Sequence, residues 1–216
     1  MIPGKQSVPI RNATSLLAAC LIVVLSAVFL EASPRDQERW DRKYDTGKYL
    51  FGKEPIRFLA DNVGLLPKGK ALDLAMGEGR NGVYLATRGF DVLGLDISDV
   101  GLQKARKLAE AHGVKIKTRV ADLESYQLEK NAYDVVLDTY YLQRSLFPQI
   151  KRALKSGGVA VVETYNTNLL KYRRFNKDYL LKPNELREIF KDFKIIRYQE
   201  VDDGKTAYSS IIAQKP

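Results

Sequence analysis

Short apolar runs alternate with helix-periodic stretches from about Lys70 onward. The apolar runs predict five strands, at residues 71–75, 91–95, 115–120, 133–138 and 159–164. The stretches between them predict helices at residues 81–88, 100–112 and 143–154, with residues 155–158 as a helix stop and tight turn. This alternation is typical of a parallel sheet covered by helices on both faces, and five strand–helix units fit the length.

The C-terminal part has a different pattern. Residues 183–186 open a short helix, and residues 193–201 and 206–213 predict two strands joined by a hairpin-type turn at residues 202–205. A terminal antiparallel hairpin is not the dinucleotide-binding dehydrogenase pattern. We therefore predict an α/β fold with a Rossmann-like, doubly wound, seven-stranded sheet, mostly parallel with a C-terminal antiparallel hairpin.

An apolar segment without charges precedes this domain, at residues 13–30. As a helix, its 18 residues would be about 27 Å long, close to the hydrocarbon thickness of a bilayer. We predict a short N-terminal segment (1–12), a transmembrane or signal-anchor helix (13–30), a helical lid or linker (31–69) and the main domain (70–216). A cleaved signal peptide and an organelle-targeting presequence stay open as alternatives.

Basic residues are more numerous after the apolar segment than before it. By the positive-inside rule, this distribution favours a membrane-anchored protein with its main domain in the cytoplasm. The basic residues counted are Lys5 and Arg11 before the segment, and Arg35, Arg39, Arg42, Lys43 and Lys48 after it.

Composition narrows the chemistry. The net charge of +9 would suit an anionic surface, an acidic substrate or nucleic acid, but the basic residues are spread along the chain, which disfavours nucleic acid. The single cysteine, Cys20, lies in the apolar segment, and His112 is the single histidine. We therefore expect no disulfide framework, thiol nucleophile, histidine-based triad or metal site.

A glycine-rich loop follows the first predicted strand and opens the first helix. Residues 77–82 form a G-x-G-x-x-G pattern, and Asp96 ends the second strand. Glycine lets the backbone turn sharply and approach a ligand, and an acid at the second strand end binds a ribose diol. The pattern alone does not separate a nicotinamide cofactor from S-adenosylmethionine.

Three features favour S-adenosylmethionine. Asp73 lies inside the first strand, Asp122 follows the third strand where it would meet an adenine amino group, and the chain ends in the predicted hairpin. The two acids are unusual in dehydrogenases, and the hairpin matches strands six and seven of class I methyltransferases.

Taken in order, these segments resemble the successive motifs of class I S-adenosylmethionine-dependent methyltransferases. The resemblance covers residues 38–215, and its motifs are residues 71–82, 94–98, 121–123, 133–136 and 154–158. Residues 40–44, 49–55 and 140–145 resemble the subgroup related to tellurite-resistance methyltransferases. The resemblance implies a methyltransferase with S-adenosylmethionine as its cofactor.

The resemblance also implies a cofactor site at the glycine loop and the strand ends. The loop would shape the methionine pocket, Asp96 would hold the ribose hydroxyls, and Asp122 would hold the adenine edge. Ala75 stands where many members have glycine, but its methyl group is a small intrusion, so binding should survive. The candidate cofactor-binding residues are Asp73, Ala75, Gly77, Gly79, Asn81, Asp96, Ile97, Asp122, Leu123 and Asp138.

Some of these residues also fit structural roles. Asp96 and Asp122 fit helix caps, and Asn81 fits a stabiliser of a helix start. The aromatic residues before the sheet fit either core or a lid over the site. These aromatic residues are Tyr44, Tyr49 and Phe51.

The substrate side is marked by Tyr140, Tyr141 and Arg144, which follow the fourth strand. Arg144 would attract an anion there, or it pairs with a surface acid. Methyl transfer needs positioning and exclusion of water more than proton transfer. With no histidine base, we expect a small-molecule acceptor with a soft nucleophile, such as a thiol or metalloid anion.

Other functions stay open. The D-x-x-Y pattern at residues 138–141 is found in some protein lysine methyltransferases, so a protein substrate is one alternative. A membrane anchor would also suit a quinone-like acceptor. A non-catalytic scaffold that binds the cofactor and a nicotinamide oxidoreductase are the remaining alternatives.

Overall fold

A computed structural model describes residues 34–216 together with Met1. The predicted membrane helix at residues 13–30, which is the N-terminal apolar helix of the predicted fold, lies outside these residues. Among the helices described, none combines the length and the apolar character that a membrane span requires.

Seven strands form one sheet, in the order β3-β2-β1-β4-β5-β7-β6. Strands β1 to β5 are parallel, whereas β7 runs antiparallel to both β5 and β6. The predicted α/β fold, with its mostly parallel sheet and terminal hairpin, is confirmed. The strands are β1 Lys70–Leu74, β2 Asp91–Asp96, β3 Lys117–Val120, β4 Tyr133–Thr139, β5 Leu154–Tyr165, β6 Lys194–Asp202 and β7 Ala207–Gln214.

Helices lie on both faces of this sheet. The described α-helices are α1 Pro34–Tyr44, α2 Arg57–Asn62, α3 Arg80–Thr87, α4 Asp99–Ala111, α5 Phe147–Ala153 and α6 Glu185–Ile189. Single 3-10 turns occur at Val63–Leu65, Arg144–Leu146, Thr167–Lys171 and Lys177–Tyr179. Ser98 caps α4, because its hydroxyl accepts a hydrogen bond from Gly101 N–H at 3.0 Å.

Alternate residues of the central strands enter two separate cores. Ala71 and Val135 face a core closed by α2, α3 and α4, whereas Leu72 and Val136 face a core closed by α5 and α6. Both sides of β1 and β4 are therefore buried, which explains why these strands are continuous apolar runs in the sequence.

Two features of the structure depart from the predicted pattern of five strand–helix units. Residues 121–132, all of them described, contain turns and no helix. Their core residues Leu123 and Leu128 are five positions apart and do not share a helical face. The predicted turn at residues 155–158 belongs to β5, which begins at Leu154. Gly157 absorbs the irregularity with a φ of +76°.

Candidate cofactor and acceptor site

The glycine loop joins β1 to α3 through three residues in the left-handed region. Ala75, Gly77 and Gly79 have φ angles of +49°, +56° and +89°. A Cβ on Gly79 would lie 2.6 Å from the Cβ of Ala105 in α4, so glycine is required where the two helices meet. Two of the three residues are glycines, whereas Ala75 adopts the left-handed conformation despite its Cβ.

Asp96 ends β2 beside the loop. One carboxylate oxygen accepts a hydrogen bond from Gly77 N–H at 2.7 Å, and the other accepts one from Ser98 N–H at 2.8 Å. Burial raises the pKa of Asp96 to about 6, and these backbone donors oppose the shift. Each oxygen keeps further acceptor capacity, so the carboxylate can still accept hydrogen bonds from ribose hydroxyls.

Asp73 and Asp138 are buried carboxylates at the same end of the sheet, and each residue is 1% exposed. Oδ2 of Asp73 and both carboxylate oxygens of Asp138 have no hydrogen-bond partner among the described residues. Burial raises the pKa of Asp73 to about 7, and burial together with the charge of Asp73 raises the pKa of Asp138 well above its ordinary value. A cationic ligand group would relieve this cost, and the amino group of S-adenosylmethionine is such a group.

The ends of β2 and β3 form the side predicted to meet adenine. The N–H of Ala121 donates to the carbonyl of Asp96 at 2.9 Å, which holds the two strand ends together. Asp122 accepts a hydrogen bond from Glu124 N–H at 2.9 Å, so it stabilises a turn. Leu123 is buried in the core, whereas Ile97 is half-buried beside Asp96.

Asn81 braces the start of α3. Its side-chain oxygen accepts from Ile56 N–H at 2.9 Å, and its amide nitrogen donates to the hydroxyl of Thr139 at 2.9 Å. The amide thus connects α3 to the segment before α2 and to the end of β4. This is the structural role that the sequence left open beside cofactor binding.

Residues 45–56, which join α1 to α2 and which we call the strap, lie against the glycine loop. Glu78 of the loop accepts a hydrogen bond from Leu50 N–H at 2.6 Å and forms an ion pair with Lys104 of α4 at 2.5 Å. Lys104 also donates to the carbonyls of Tyr44, Thr46 and Lys48, at 3.0, 3.2 and 2.6 Å. Both members of the Glu78–Lys104 ion pair therefore form hydrogen bonds to the strap, and the pair holds the strap against the loop.

Tyr44, at the end of α1, covers the loop. Its ring stacks on Trp40 at 5.5 Å between centroids, and its hydroxyl would lie 2.7 Å from a Cβ on Gly77. Asp41, one turn earlier, accepts a hydrogen bond from the hydroxyl of Ser98 at 2.5 Å. Tyr44 is thus buried and also covers the glycine loop. It therefore fills both of the roles that the sequence allows for it, a core residue and a lid over the loop.

Tyr140 and Tyr141 have different surroundings. The hydroxyl of Tyr140 donates to Glu163 of β5 at 3.0 Å. The hydroxyl of Tyr141 donates to Gln143 at 2.5 Å. Burial raises the pKa of Tyr141, and the nearby carboxylates add to this shift. These carboxylates are Glu124, Asp138, Asp122 and Asp96. Tyr141 therefore lies near the carboxylates predicted to bind the cofactor, whereas Tyr140 lies against Glu163 of β5.

A cavity of about 390 Å³ opens beside Tyr140. Glu163 lies in its wall, although the residue is only 3% exposed. The strap and the start of α2 form the opposite wall, and Arg80 joins it to the glycine loop. The remaining lining residues are Phe51, Gly52, Lys53, Glu54, Pro55, Ile56, Arg57, Phe58 and Tyr208.

Arg144 does not line this cavity. Its guanidinium forms a two-point ion pair with Glu185, at 2.6 and 3.0 Å, and donates to the carbonyls of Asp178 and Leu180. The sequence allows two roles for Arg144, attraction of an anion or pairing with an acid, and the structure shows the pairing with an acid. In this position Arg144 joins the end of β4 to the segment before α6.

The sequence patterns do not single out three charged residues of the site: Glu78, Lys104 and Glu163. Glu163 carries a visible signal, because it is an acid at the end of the apolar run Val159–Val162. Glu78 stands between two glycines of the loop, where a solvated residue is the ordinary expectation. Lys104 gave no signal, since its partners are 26 or more positions away.

A comparison with known families identifies the chain. The family model described as Tellurite resistance protein TehB matches residues 35–207. The probable S-adenosyl-L-methionine-dependent methyltransferase TehB of Haemophilus influenzae is 27% identical over 174 residues, which cover 77% of this chain and 58% of the relative. A ubiquinone biosynthesis O-methyltransferase of Roseobacter denitrificans is 31% identical over 108 residues, or 48% of this chain and 44% of that protein.

The fold agrees with this comparison. The crystal structure of TehB from Haemophilus influenzae superposes with a TM-score of 0.65, at 21% sequence identity, over 83% of this chain and 67% of that one. This chain spans less than two thirds of the length of the curated TehB protein. The predicted resemblance is confirmed, and the chain belongs to the TehB family of class I S-adenosylmethionine-dependent methyltransferases.

Proposed function

We propose that this protein transfers a methyl group from S-adenosylmethionine to a small acceptor held in the cavity beside Tyr140. A soft nucleophile, such as a thiol or a metalloid anion, is the favoured acceptor. The observation that carries the proposal is the position of the cavity. It shares Arg80 with the glycine loop, and it adjoins β4, whose Asp138 has carboxylate oxygens without a hydrogen-bond partner in the described part of the chain. Family membership supports the cofactor.

Each part of the site has a separate task in this reaction. Bound S-adenosylmethionine supplies an electrophilic methyl group. Asp96 holds the ribose hydroxyls, and the carboxylates of Asp73 and Asp138 bind the cationic amino group. The strap, fixed by Glu78 and Lys104, keeps water from the reacting atoms, which strengthens every polar contact inside.

Calorimetric titration of the full chain with S-adenosylmethionine and S-adenosylhomocysteine tests the cofactor site. We expect micromolar binding, weakened at least about 100-fold in Asp96→Ala, because a buried carboxylate that accepts two hydroxyl hydrogen bonds contributes several kcal/mol. Asp91→Ala is the matched control, since Asp91 begins the same strand and forms an exposed ion pair with Lys117. Equal binding by Asp96→Ala and the wild type would refute the site, and unchanged binding in Asp91→Ala would make a loss at Asp96 specific.

A quinone-type acceptor is the second candidate. The match to ubiquinone biosynthesis O-methyltransferases favours it, and Phe51, Phe58 and Tyr208 give the cavity aromatic walls. Incubation with a soluble catechol, followed by mass spectrometry for a 14-Da increase per transferred methyl, distinguishes this acceptor from thiols. The same assays detect the other two alternatives. A protein lysine acceptor would appear as methylated protein, and a scaffold without turnover would bind the cofactor but form no product.

We also propose that residues 13–30 anchor the protein to a membrane, with the catalytic domain on the cytoplasmic side. The uncharged stretch and the basic residues that follow it support this proposal. Alkaline carbonate extraction of membranes tests it. Release of the chain into the soluble fraction would refute an integral anchor.

A further inference from the structure

Glu163 is a buried carboxylate that nothing in the cofactor site requires. Its Oε1 accepts a hydrogen bond from the hydroxyl of Tyr140 at 3.0 Å, and its Oε2 accepts one from the hydroxyl of Ser210 at 2.7 Å. A charged side chain that is only 3% exposed is costly to retain unless it has a task. Glu163 also lies in the cavity wall, where an acceptor would contact it.

Tyr140 is held against Glu163 by a strained backbone. Its φ is +58°, which is rare for a bulky side chain and costs about 1 to 3 kcal/mol. The Tyr140 N–H donates to the carbonyl of Glu163 at 2.7 Å, and its ring packs on Tyr165 at 4.9 Å. These contacts hold Tyr140 in place, with its hydroxyl hydrogen-bonded to the Glu163 carboxylate.

The charges around Glu163 come from several elements. Arg80 of α3 lies over the Tyr140 ring at 5.7 Å, and Tyr208 of β7 lines the same cavity. Lys53 and Glu54 of the strap and Arg57 of α2 complete the charged lining. Burial raises the pKa of Glu163, whereas the hydrogen bonds from Ser210 and Tyr140 and the charge of Arg80 lower it.

We propose, building on the proposed function, that Glu163 is the catalytic proton acceptor for a neutral thiol acceptor, and that Tyr140 and Ser210 position its carboxylate. A new bond forms between the methyl carbon and the acceptor sulfur. The bond between that carbon and the cofactor sulfur breaks, and its electron pair stays on the cofactor sulfur. The acceptor S–H proton moves to Glu163, and the products are a thioether and S-adenosylhomocysteine.

Two arguments select a neutral thiol. An acceptor that is already an anion would be repelled by the ionised carboxylate beside it. Among neutral acceptors, a thiol has an ordinary pKa of about 8.5, against about 10 for a phenol, so it gives up its proton to a carboxylate more readily. Glu163 therefore narrows the proposed acceptors from thiols and metalloid anions to thiols that are protonated at neutral pH.

Two thiols of different acidity test this assignment in the full-length protein. Phenylmethanethiol is neutral at pH 7, whereas 4-nitrobenzenethiol is ionised and needs no base. We expect Glu163→Gln to lower kcat/KM for phenylmethanethiol about 100-fold or more, the usual contribution of a general base. Turnover of 4-nitrobenzenethiol should be retained or increased, since no proton is transferred and the variant removes the charge that repels the thiolate. Glu110→Gln, on the exposed side of α4, is the control and should match the wild type on both thiols.

Ser210→Ala gives a second readout that a merely structural role would not move. Loss of the Ser210 hydrogen bond raises the pKa of Glu163, so the acidic limb of the rate profile for phenylmethanethiol should shift to higher pH. This variant keeps the carboxylate, and it decides the question if Glu163→Gln does not fold, as judged by circular dichroism.

The possible failures can be told apart. Equal losses on both thiols, or a pH profile that Ser210→Ala leaves unchanged, would overturn the role of Glu163 as base. A wild-type protein that binds S-adenosylmethionine but methylates neither thiol would overturn the thiol acceptor, and with it the role of Glu163, while the cofactor site would stand. Absence of cofactor binding by the folded protein would overturn the proposed function as well.

Discussion

The cofactor edge and the acceptor edge of the sheet are built differently. We call the loop and strand ends from Asp73 to Asp122 the cofactor edge, and the strap, Tyr140, Glu163 and the start of β7 the acceptor edge. Each edge holds a residue with a side chain in the left-handed region, Ala75 in the first and Tyr140 in the second. At the cofactor edge the conformation belongs to a short loop, whereas at the acceptor edge it is imposed by contacts to another strand. The acceptor edge therefore depends more on the tertiary structure.

The largest expected effect comes from the ion pair that joins the two edges. Lys104→Met leaves the buried Glu78 without its cation, and it leaves the carbonyl of Tyr44 and two strap carbonyls without their donor. We expect a loss of about 3 kcal/mol in the free energy of unfolding, the cost of breaking a buried pair. Urea denaturation of the full chain measures it.

Lys107→Met is the control for this change, since Lys107 lies exposed on the same helix. It should change the free energy of unfolding by less than about 0.5 kcal/mol. A loss below about 1 kcal/mol in Lys104→Met would mean that the pair behaves as a surface ion pair, and that the strap is held by its other contacts.

The same division explains what the sequence predicts. The glycine loop, Asp96 and Asp122 lie at fixed places relative to strand ends, so an alternating pattern locates them before any tertiary contact is known. Glu163 meets Tyr140 only through the pairing of β4 with β5, and Lys104 meets the strap across 56 to 58 positions. Arg144 illustrates the limit, because its residue type fitted an anion site while its partner, Glu185, is 41 positions away.

The second prediction tests whether Arg144 belongs to the acceptor edge. Arg144→Lys keeps the charge but loses the two-point pairing with Glu185 and the bonds to two carbonyls. We expect about 1.5 kcal/mol less stability, reduced by the partial exposure of the pair. The KM for 4-nitrobenzenethiol should stay unchanged, because Arg144 does not line the cavity.

Thermal denaturation and initial-rate measurements check both parts of this prediction. Arg152→Lys, on the exposed side of α5, serves as the matched control. An increased KM for 4-nitrobenzenethiol in Arg144→Lys, with unaltered stability, would instead indicate that Arg144 attracts an anionic acceptor.

The third prediction concerns pH at the cofactor edge. The folded-state pKa values of Asp96 and Asp73, about 6 and about 7, are raised above their unfolded values. Protons therefore stabilise the unbound fold, and this stability is lost as pH rises from about 4 toward those values. In the proposed site the ionised carboxylates bind S-adenosylmethionine, so the affinity for it should increase about tenfold between pH 5.5 and 7.

Calorimetry across this pH range, with thermal denaturation of the unbound protein, measures both trends. The melting temperature without cofactor should fall as the affinity rises. Asp96→Asn should flatten part of the affinity profile. An affinity that is constant over the range would mean that the carboxylates are ionised throughout.

The smallest expected effect separates the two strained residues. Ala75→Gly removes the penalty of a left-handed alanine, about 1 to 2 kcal/mol, and adds about 0.4 to 1 kcal/mol of unfolded-state entropy. The net gain should be about 0.5 to 1 kcal/mol, which raises the melting temperature by about 1 to 4 °C. Ala86→Gly, within the right-handed helix α3, should instead lose about 1 kcal/mol.

A stabilised Ala75→Gly with unchanged cofactor affinity would show that the strain of the cofactor edge is incidental and removable. A destabilised variant would mean that the methyl group of Ala75, which packs against the core beside α5, contributes more than the strain costs. The strain of Tyr140 has no such remedy, because glycine there would also delete the hydroxyl that holds Glu163. If Ala75→Gly gains stability and keeps its cofactor affinity, backbone strain can be removed at the cofactor edge without loss of function. At the acceptor edge the strain of Tyr140 cannot be removed without losing its contact with Glu163, so there the strain is tied to the chemistry.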